Sequence, residues 1–279
     1  MNNIQLEKST AEKVLNHLNL DVKSNEEGLK QLYSIWCQNI PFDNFWKRLQ
    51  LAEKSFSDKN QMNPNHFLEI WMDHGLGGTC WTSTNALWAL LNYLGFKVRF
   101  IAGSMGDMGM PNHGSLIVTF ENAKEFIVDT SILNNTPIDI SSNGVEDYLH
   151  PIQLISDAGK TVLVFEHVTK REDMSCAMEF KGVSADEIPK HYGASVEMSL
   201  FNDCVYVRKN TKKSVLSIVG NTFSKKSSKE IEKKELAPKE ISEVLINTMG
   251  FSEKIVTHIE NTPLYNVPKE SILLSLTKN

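Results

Sequence analysis

The sequence has little cysteine and lacks long apolar runs. Its 279 residues include four cysteines, at positions 37, 80, 176 and 204, and no two of them form a Cys-x-x-Cys pair. This number is too small for a disulfide scaffold. No run approaches the roughly 18 apolar residues of a transmembrane helix, and the N-terminal segment MNNIQLEKSTAEKV has no apolar core of signal-peptide length. We therefore predict a cytoplasmic protein with reduced thiols and without a membrane partner.

Basic residues are also not in excess. The chain carries 29 lysines and arginines against 34 aspartates and glutamates, a formal net charge of −5, which argues against a nucleic-acid partner. The charge is uneven, because residues 204–279 hold 13 basic and 8 acidic side chains. This C-terminal part is either an ordinary solvated surface or a module that faces an anionic ligand, such as a phosphorylated cofactor.

Motifs for metal and nucleotide binding are missing as well. The sequence has no H-E-x-x-H, no Walker lysine motif and no G-x-G-x-x-G. It also lacks the paired ligand spacings of a structural zinc site, so we expect no metal. The stretch AGSMGDMGMP (102–111) is expected to be a mobile loop. Its three methionines either line an adaptable apolar pocket beside His113 or serve as core or lid residues.

The apolar pattern predicts a change from helices to strands near residue 95. Four apolar residues share one helix face, at i, i+3, i+4 and i+7: Leu29, Leu32, Tyr33 and Trp36. A second helix is predicted from Cys80 to a C-terminal cap at Gly95. From Lys97 onward, β-branched and aromatic runs predict strands: KVRFIAG, GSLIVTF, KEFIVDT, TVLVFEH, CVYVRK and SVLSIVG. A last helix is predicted over 238–249, preceded by an exposed turn or loop over 224–235.

Cys80 lies in a context that is typical of a reactive thiol. It follows Gly77-Gly78-Thr79 and opens an apolar helix. Glycines allow the backbone to approach a ligand closely. A helix N-terminus favours the thiolate over the thiol and offers free amides to an oxyanion. The same context is compatible with a buried structural cysteine at a helix start.

His113 and Asp129 are predicted to lie close together. His113 precedes one apolar strand and Asp129 ends the next, with a tight turn expected at Glu121-Asn122-Ala123. Both side chains then fall at the open end of the hairpin. There an aspartate can hold an imidazole in one tautomer, and the imidazole can deprotonate a thiol. Taken singly, these residues could be a loop histidine and a turn cap, but with Cys80 they predict a thiol acyl-transfer site.

Further motifs surround these three residues. Ile40-Pro41-Phe42-Asp43-Asn44 precedes them, Gly77-Gly78-Thr79-Cys80 carries the cysteine, and GNTFSKKSSKEIEKKEL precedes the last predicted helix. His113 lies in an H-x-x-L-x-V context and Asp129 in a V-D context. With these motifs, most of the chain resembles the arylamine N-acetyltransferases, whose patterns are I/V-P-F-E-N and R-G-G-x-C. The segment GNTFSKKSSKEIEKKEL and the helix after it are similar to the C-terminal strand pair and last helix of that family.

The resemblance implies an α+β fold with three domains. A helical domain over 1–95 would carry the nucleophile, an antiparallel β-barrel over 96–200 would carry the histidine and the aspartate, and an α/β lid would follow over 201–279. The chain is expected to be a monomer or a weak homodimer.

The resemblance also implies an activity. Acetyl would pass from acetyl-CoA to an arylamine or hydrazine by a ping-pong mechanism, through an acetyl-cysteine on Cys80 with His113 and Asp129 as its partners. The residues expected to bind substrate are Phe42, Thr79, Met110, Ser131 and Ile132.

The chain departs from the family pattern around the cysteine. Leu76 stands in place of the arginine of R-G-G-x-C, and Asp43 in place of the glutamate of P-F-E-N. A salt bridge at the base of the helix is therefore expected to be absent. Thr82 and Thr84 also stand at positions where the family has other residues.

Two other functions stay open at this point. Transglutaminase-like proteins share a Cys-His-Asp core, with G-x-C on a helix and D-T at the end of a strand, and a relative of theirs would act on protein amides. Alternatively, the changes at Leu76, Thr82 and Thr84 favour a non-catalytic binding module that keeps the fold.

Overall fold

The computed structural model describes residues 5–52, 62–106, 108–147, 149–157, 159–198, 202 and 204–261. The helices are α1 (Lys8–His17), α2 (Glu26–Asn39), α3 (Phe45–Ala52), α4 (Pro64–His74), α5 (Cys80–Tyr93), α6 (Ile188–Met198), α7 (Pro238–Asn247) and α8 (Glu253–Glu260). The strands are β1 (Phe42–Asp43), β2 (Lys97–Met105), β3 (His113–Thr119), β4 (Glu125–Val128), β5 (Ile138–Asp139), β6 (Gly144–Val145), β7 (Ile152–Asp157), β8 (Lys160–Glu166), β9 (Asp173–Gly182), β10 (Tyr206–Asn210), β11 (Val215–Val219), β12 (Thr222–Lys226) and β13 (Ile231–Glu235). The end of the third predicted domain, residues 262–279, lies outside the described residues.

The N-terminal helices have apolar faces and well-defined ends. Asn25 caps α2 by accepting a hydrogen bond of 2.8 Å from the amide of Gly28, and all four residues of the predicted stripe are buried. Helix α5 begins at Cys80, and Gly95 follows its end with a φ of +83°. Both helix predictions are therefore confirmed. The apolar faces of α1, α2, α4 and α5 meet in one core with residues of β2, β3 and β4.

Eight strands form an antiparallel sheet that is nearly closed into a barrel. Their order is β5-β4-β3-β2-β9-β8-β7-β6, and the edge strands β5 and β6 contact each other. Successive residues of β3 point to opposite faces, so Ile117 lies in the barrel core and Val118 packs against the helices. The turn between β3 and β4 lies at the predicted place, with Ala123 at a φ of +61°. The predicted α+β fold with an antiparallel barrel is confirmed.

A second antiparallel sheet has the strand order β1-β10-β11-β12-β13. Val207, Leu216 and Ile218 on one of its faces pack against α3, α7 and α8. The prediction of a loop over 224–235 is wrong, because β12 and β13 form a hairpin through this segment. Strand β13 is an exposed edge, and a charged edge strand discourages pairing with other chains. This explains why its composition resembles that of a loop.

Strand β1 joins distant parts of the chain. It lies between α2 and α3 in sequence but pairs with β10. Phe45 and Leu49 of α3 pack into the same apolar cluster as α7 and α8. The P-F-D-N motif and the helix behind it therefore pack with the C-terminal sheet. The division into domains at residues 95 and 200 stays a prediction. Within the described ranges, no helix has the length and apolar character needed to cross a bilayer.

Candidate active site

Cys80 is the first residue of α5 and follows a tightly packed glycine loop. A Cβ atom at position 77 would lie 1.7 Å from the carbonyl oxygen of Pro41, and Gly78 has a φ of +67°. Both positions therefore require glycine. The Cys80 side chain is largely buried, and its Sγ lies 3.9 Å from the carbonyl oxygen of Asn112, just before β3. The helix start predicted from the sequence thus places the thiol against the strand of His113.

Asp43 on β1 holds the glycine loop in place. Its Oδ2 accepts hydrogen bonds from the amides of Gly77 at 2.6 Å and Gly78 at 3.2 Å, and its Oδ1 accepts one from the amide of Phe45 at 3.1 Å. Burial raises the pKa of Asp43 to about 6, although these bonds favour the ionised form. Leu76 lies in the apolar cluster with Phe45. The carboxylate therefore holds the loop through backbone amides, a role that the sequence did not predict.

His113 and Asp129 form a buried pair. His113 Nε2 donates a hydrogen bond of 2.6 Å to Asp129 Oδ2, and both side chains are almost fully buried. Burial is the largest single effect and would lower the pKa of His113. The charge of Asp129, the hydrogen bond to Asp129 and the interactions with the Cys176 and Cys80 side chains act together against burial, and they raise that pKa well above its usual range. Burial likewise opposes ionisation of Asp129, yet the charge of His113 lowers the pKa of the aspartate. The predicted proximity of the two residues at the open end of the hairpin is confirmed.

The turn after β4 orients the carboxylate of Asp129. Its Oδ1 accepts hydrogen bonds from the amides of Ser131 and Ile132, each at 2.9 Å. From α2, the Tyr33 hydroxyl accepts a hydrogen bond of 3.0 Å from the Asp129 amide and lies 2.8 Å from its carbonyl oxygen. Tyr33 was predicted only as part of an apolar stripe. The signal for its second role is the hydroxyl, because a buried tyrosine needs a hydrogen-bond partner.

The His113 ring connects Asp129 with Cys80. Because Nε2 donates to the aspartate, Nδ1 is the ring nitrogen left for the thiol, and an interaction with the Cys80 side chain contributes to the raised pKa of His113. A thiol, an imidazole and a carboxylate in this order can move a proton from sulfur to nitrogen while the carboxylate stabilises the imidazolium. The structure thus brings together the three residues selected from the sequence, which we call the Cys–His–Asp group.

Two threonines that depart from the family pattern form hydrogen bonds in the same region. Thr84 Oγ1 on α5 lies 2.8 Å from Thr130 Oγ1 and donates to the carbonyl oxygen of Gly114 at 3.1 Å. It therefore links α5 with β3 and with the turn after β4. Thr82 Oγ1 donates to the carbonyl oxygen of Thr79 within the first turn of α5.

Two of the residues predicted to bind substrate, Phe42 and Thr79, lie at or beside the glycine loop that precedes Cys80. Phe42 is buried, and its ring contacts that of Tyr206 edge to face, with 5.6 Å between the centroids. Thr79 lines a narrow pocket with Trp46 and His66. The Thr79 hydroxyl is buried and has no hydrogen-bond partner among the described residues, so it can donate to a group that enters this pocket.

The other three predicted residues contribute differently. Ser131 and Ile132 donate their backbone amides to Asp129, while the side chain of Ile132 belongs to the barrel core. Met110 is exposed, as is Met108, whereas Met105 packs against the barrel. The three methionines therefore do not form one pocket beside His113. The glycines between them, at positions 106 and 109, have positive φ. The prediction of a loop over 102–111 is wrong at its start, because β2 extends to Met105.

Arg208 on β10 holds the turn after β4 from the other side. Its guanidinium donates to the carbonyl oxygens of Ser131, at 3.0 Å, and Ile132, and to His150 Nε2 at 2.9 Å. Burial and the charge of Arg208 hold the pKa of His150 well below its usual range, so this ring accepts as the neutral form. Asn210, on the same face of β10, donates to another carbonyl of the turn. The available signal for this role was an arginine within a predicted strand, because a buried charge needs hydrogen-bond partners.

The C-terminal lysines are partly neutralised by ion pairs. Lys225 lies 3.6 Å from Glu232, and Lys234 lies 2.7 Å from Glu240. The buried Lys226 forms an ion pair with a glutamate of β8. Among the described residues, no three histidine, cysteine, aspartate or glutamate side chains cluster as a metal site.

Known proteins share this fold. A family model described as N-acetyltransferase matches residues 26–254. The arylamine N-acetyltransferase of Mycobacterium marinum has a TM-score of 0.76 at 16% identity, over 89% of this chain and 94% of that chain. The same enzyme in complex with CoA has a TM-score of 0.75 at 17% sequence identity, over 88% of this chain and 93% of that chain. The arylamine N-acetyltransferase of Salmonella typhimurium has a TM-score of 0.76 at 15% sequence identity, over 91% of this chain and 98% of that chain. No curated protein matches the chain in sequence.

The solved structures are too distant in sequence to indicate more than the fold. The family model is a match of sequence, and it spans most of the chain, from α2 to α8, including the whole Cys–His–Asp group. The chain therefore belongs to the arylamine N-acetyltransferase family.

Proposed function

We propose that the protein is an acetyl-CoA-dependent N-acetyltransferase that acts on arylamines or hydrazines by a ping-pong mechanism. The observation that carries the proposal is the arrangement of the Cys–His–Asp group. His113 Nε2 donates a hydrogen bond of 2.6 Å to Asp129, and Cys80 is the first residue of a helix. Membership of an acetyltransferase family supports the reaction type.

In the first half-reaction, His113 takes the proton of the Cys80 thiol and Asp129 stabilises the resulting imidazolium. The thiolate attacks the thioester carbonyl carbon of acetyl-CoA, a substrate. The carbonyl oxygen becomes an oxyanion, which free amides at the start of α5 are placed to stabilise. The bond from this carbon to the CoA sulfur then breaks, and CoA leaves with the proton from His113.

In the second half-reaction, an amine attacks the acetyl group on Cys80. His113 accepts the proton that the amine loses as its nitrogen forms the new amide bond. The bond between the acetyl carbon and Cys80 Sγ breaks, and the thiolate and imidazolium are restored. Phe42 and Thr79 are proposed to line the acceptor side, since both lie beside the glycine loop.

Acetyl-CoA as the donor is supported from two directions. A structural relative, the Mycobacterium marinum enzyme, was solved in complex with CoA. The C-terminal part of this chain is the more basic one, which suits the phosphates of CoA. We propose that this part faces the donor. A cytoplasmic location and a monomeric or weakly dimeric state stay predictions.

The decisive experiment is the intact mass of the protein after incubation with acetyl-CoA without an acceptor. We expect a gain of one acetyl group in the wild type and in Cys204→Ala, which removes a different buried cysteine. We expect no gain in Cys80→Ala. Addition of an arylamine should remove the acetyl group and yield the N-acetyl product.

Other outcomes would contradict the proposal. An unmodified wild-type protein would favour the non-catalytic binding module. An acetylated Cys80 that arylamines and hydrazines leave intact, but that transfers its acyl group to protein amines, would favour a transglutaminase-like activity.

A further inference from the structure

Lys47 on α3 is buried beside the loop that precedes Cys80. Its side chain is 2% exposed, and it lines the narrow pocket shared by Gly78 and Thr79, the two residues immediately before the cysteine. The mechanism proposed above uses no atom of Lys47. A buried ammonium at this place therefore needs its own explanation.

Lys47 has no acidic partner in the part of the chain that the structure describes. Its Nζ donates to the carbonyl oxygen of Ser195 on α6, which occupies one of the three N–H donors of an ammonium. No aspartate or glutamate within the described ranges forms an ion pair with it. Burial lowers the pKa of Lys47 to about 8, and the charge that opposes this effect is that of Cys80. Lys47 lines the pocket beside Gly78 and Thr79, so the candidate for its counter-charge is Cys80, the residue that follows them.

We infer that Lys47 is a positioning residue whose ammonium stabilises the anionic form of Cys80, together with the imidazolium of His113. The inference rests on the proposed function, since it assigns a charge partner to the proposed nucleophile. Lys47 belongs to α3, whereas His113 belongs to β3. The negative sulfur would then have cations on two elements.

The other titratable groups around the sulfur do not replace Lys47. Asp129 is an anion, and its charge is paired with His113. Cys176 on β9 also interacts with Cys80, but burial raises the pKa of the Cys176 thiol to about 11, so it stays neutral. His66 on α4 lines the same pocket as Lys47. Lys47 is therefore a buried cation that forms no ion pair with an acidic side chain among the residues that the structure describes.

The effect is expected to be large enough to measure. Charges that are removed from water interact more strongly than surface pairs, which are screened. Loss of such a partner typically shifts an ionisation equilibrium by about tenfold. Since only the thiolate reacts with an alkylating reagent, the rate of alkylation reports this equilibrium directly and needs neither acetyl-CoA nor an acceptor.

The test follows alkylation of Cys80 by iodoacetamide, with the Cys80 peptide quantified by mass spectrometry from about pH 5 to about pH 9. Lys47→Met and Lys47→Gln remove the charge, and Lys47→Arg keeps it. Lys209→Met is the matched control, because Lys209 is also partly buried and donates to a backbone carbonyl, that of Met249 at 2.6 Å. Circular dichroism verifies that each variant is folded.

We expect the alkylation rate at neutral pH to fall about tenfold in both neutral variants of Lys47, with the pH profile displaced to higher pH. Lys47→Arg and Lys209→Met should keep the wild-type profile. An unchanged profile in a folded neutral variant would overturn the inference, and so would an equal displacement in Lys209→Met.

The outcome is separable from that of the proposed function. If Cys80 alkylates as expected in every variant but acquires no acetyl group from acetyl-CoA, the role of Lys47 stands and the acetyltransferase proposal fails. If the acetyl-cysteine forms but the pH profile of Cys80 alkylation is unchanged when Lys47 is replaced, the acetyltransferase proposal stands and the role of Lys47 fails.

Discussion

The carboxylate of Asp43 accepts a hydrogen bond of 2.6 Å from the amide of Gly77. The bond runs from β1, an edge strand of the second sheet, to the loop that leads into α5. Only glycine allows the loop to lie this close, because a Cβ atom at position 77 would collide with Pro41 just before β1. The position of Cys80 therefore depends on a strand whose pairing partner comes from the C-terminal part of the chain.

Replacement of Asp43 by asparagine is expected to lower the free energy of unfolding by about 1–3 kcal/mol. Both carboxylate oxygens accept backbone N–H groups, and the amide nitrogen of asparagine would place one donor against another. Urea unfolding measures the change. Asp139→Asn is the control, because this carboxylate caps an exposed turn and its replacement should cost less than about 1 kcal/mol. Equal effects of the two changes would contradict the role of Asp43.

Asp129→Asn is expected to reduce acetyl transfer by roughly 10³- to 10⁴-fold. Asparagine cannot stabilise the imidazolium of His113, and it favours the wrong tautomer of the ring. The release of free CoA in the presence of an arylamine measures the rate. Asp139→Asn again serves as the control and should retain the wild-type rate. Near-normal activity of Asp129→Asn would show that the aspartate does not orient the histidine.

The His113–Asp129 pair should make stability depend on pH in a defined way. The lowered pKa of Asp129 gives a contribution that is present above its ordinary value of 3.8 and is lost as the pH falls. The raised pKa of His113 gives a second stabilising contribution. It is present below pH 6.5, the ordinary pKa of histidine, and is lost as the pH rises through the raised pKa. The pair therefore contributes most to the free energy of unfolding between pH 3.8 and pH 6.5.

Guanidinium unfolding across pH tests this dependence in the wild type and in His113→Gln. The glutamine variant should lose the decline in stability on the alkaline side. If wild type and variant decline in parallel above about pH 7, the titrating group is not His113.

Thr84 and Thr130 are expected to be coupled energetically. Each hydroxyl is buried, and they lie 2.8 Å apart, so either single change to valine leaves the other hydroxyl with fewer partners. A double-mutant cycle by urea unfolding should give a coupling energy of about 0.5–1.5 kcal/mol. Strictly additive effects would mean that the two hydroxyls do not share a hydrogen bond in solution.

Arg208→Met is expected to lower the free energy of unfolding by about 2–4 kcal/mol and acetyl transfer by at least about tenfold. The change leaves the carbonyls of Ser131 and Ile132 without their donor, and their amides are the ones that orient Asp129. Arg171→Met, which removes an exposed arginine bound to a glutamate and a carbonyl, should have little effect on either quantity. Wild-type activity in Arg208→Met would show that acetyl transfer does not depend on the contacts of Arg208 with the turn after β4.

The sequence predicted those features that depend on nearby residues. The helix stripe from Leu29 to Trp36 and the start of α5 at Cys80 follow from local spacing and from glycine. The hairpin between β3 and β4 has a short turn, so counting from residues 121–123 was enough to place His113 beside Asp129. Each of these predictions needed fewer than about 20 residues of chain.

Features that depend on distant contacts could not be predicted in the same way. Asp43 was recognised as a motif residue, but its partners at Gly77 and Gly78 lie in another segment. Helix α6, which supplies the carbonyl bound by Lys47, has no strong local pattern. Composition predicted a loop where β12 and β13 pair, because a charged edge strand and a loop have the same composition, and only the family resemblance implied a strand pair there. The sequence around Lys47 does not indicate that this lysine is buried, because α6, which contacts it, lies 148 residues further along the chain.

The pairing of β1 with β10 also has a consequence for biosynthesis. Asn44, next to β1, donates to the carbonyl oxygen of Cys204, 160 residues further along the chain. A ribosome has therefore completed α5, which ends at Tyr93, long before it makes β10, the partner of β1, which begins at Tyr206. Contacts of such long sequence separation form late. Cys80 is therefore synthesised well before the strand that pairs with β1, and we expect the thiol to become reactive only after β10 has been made.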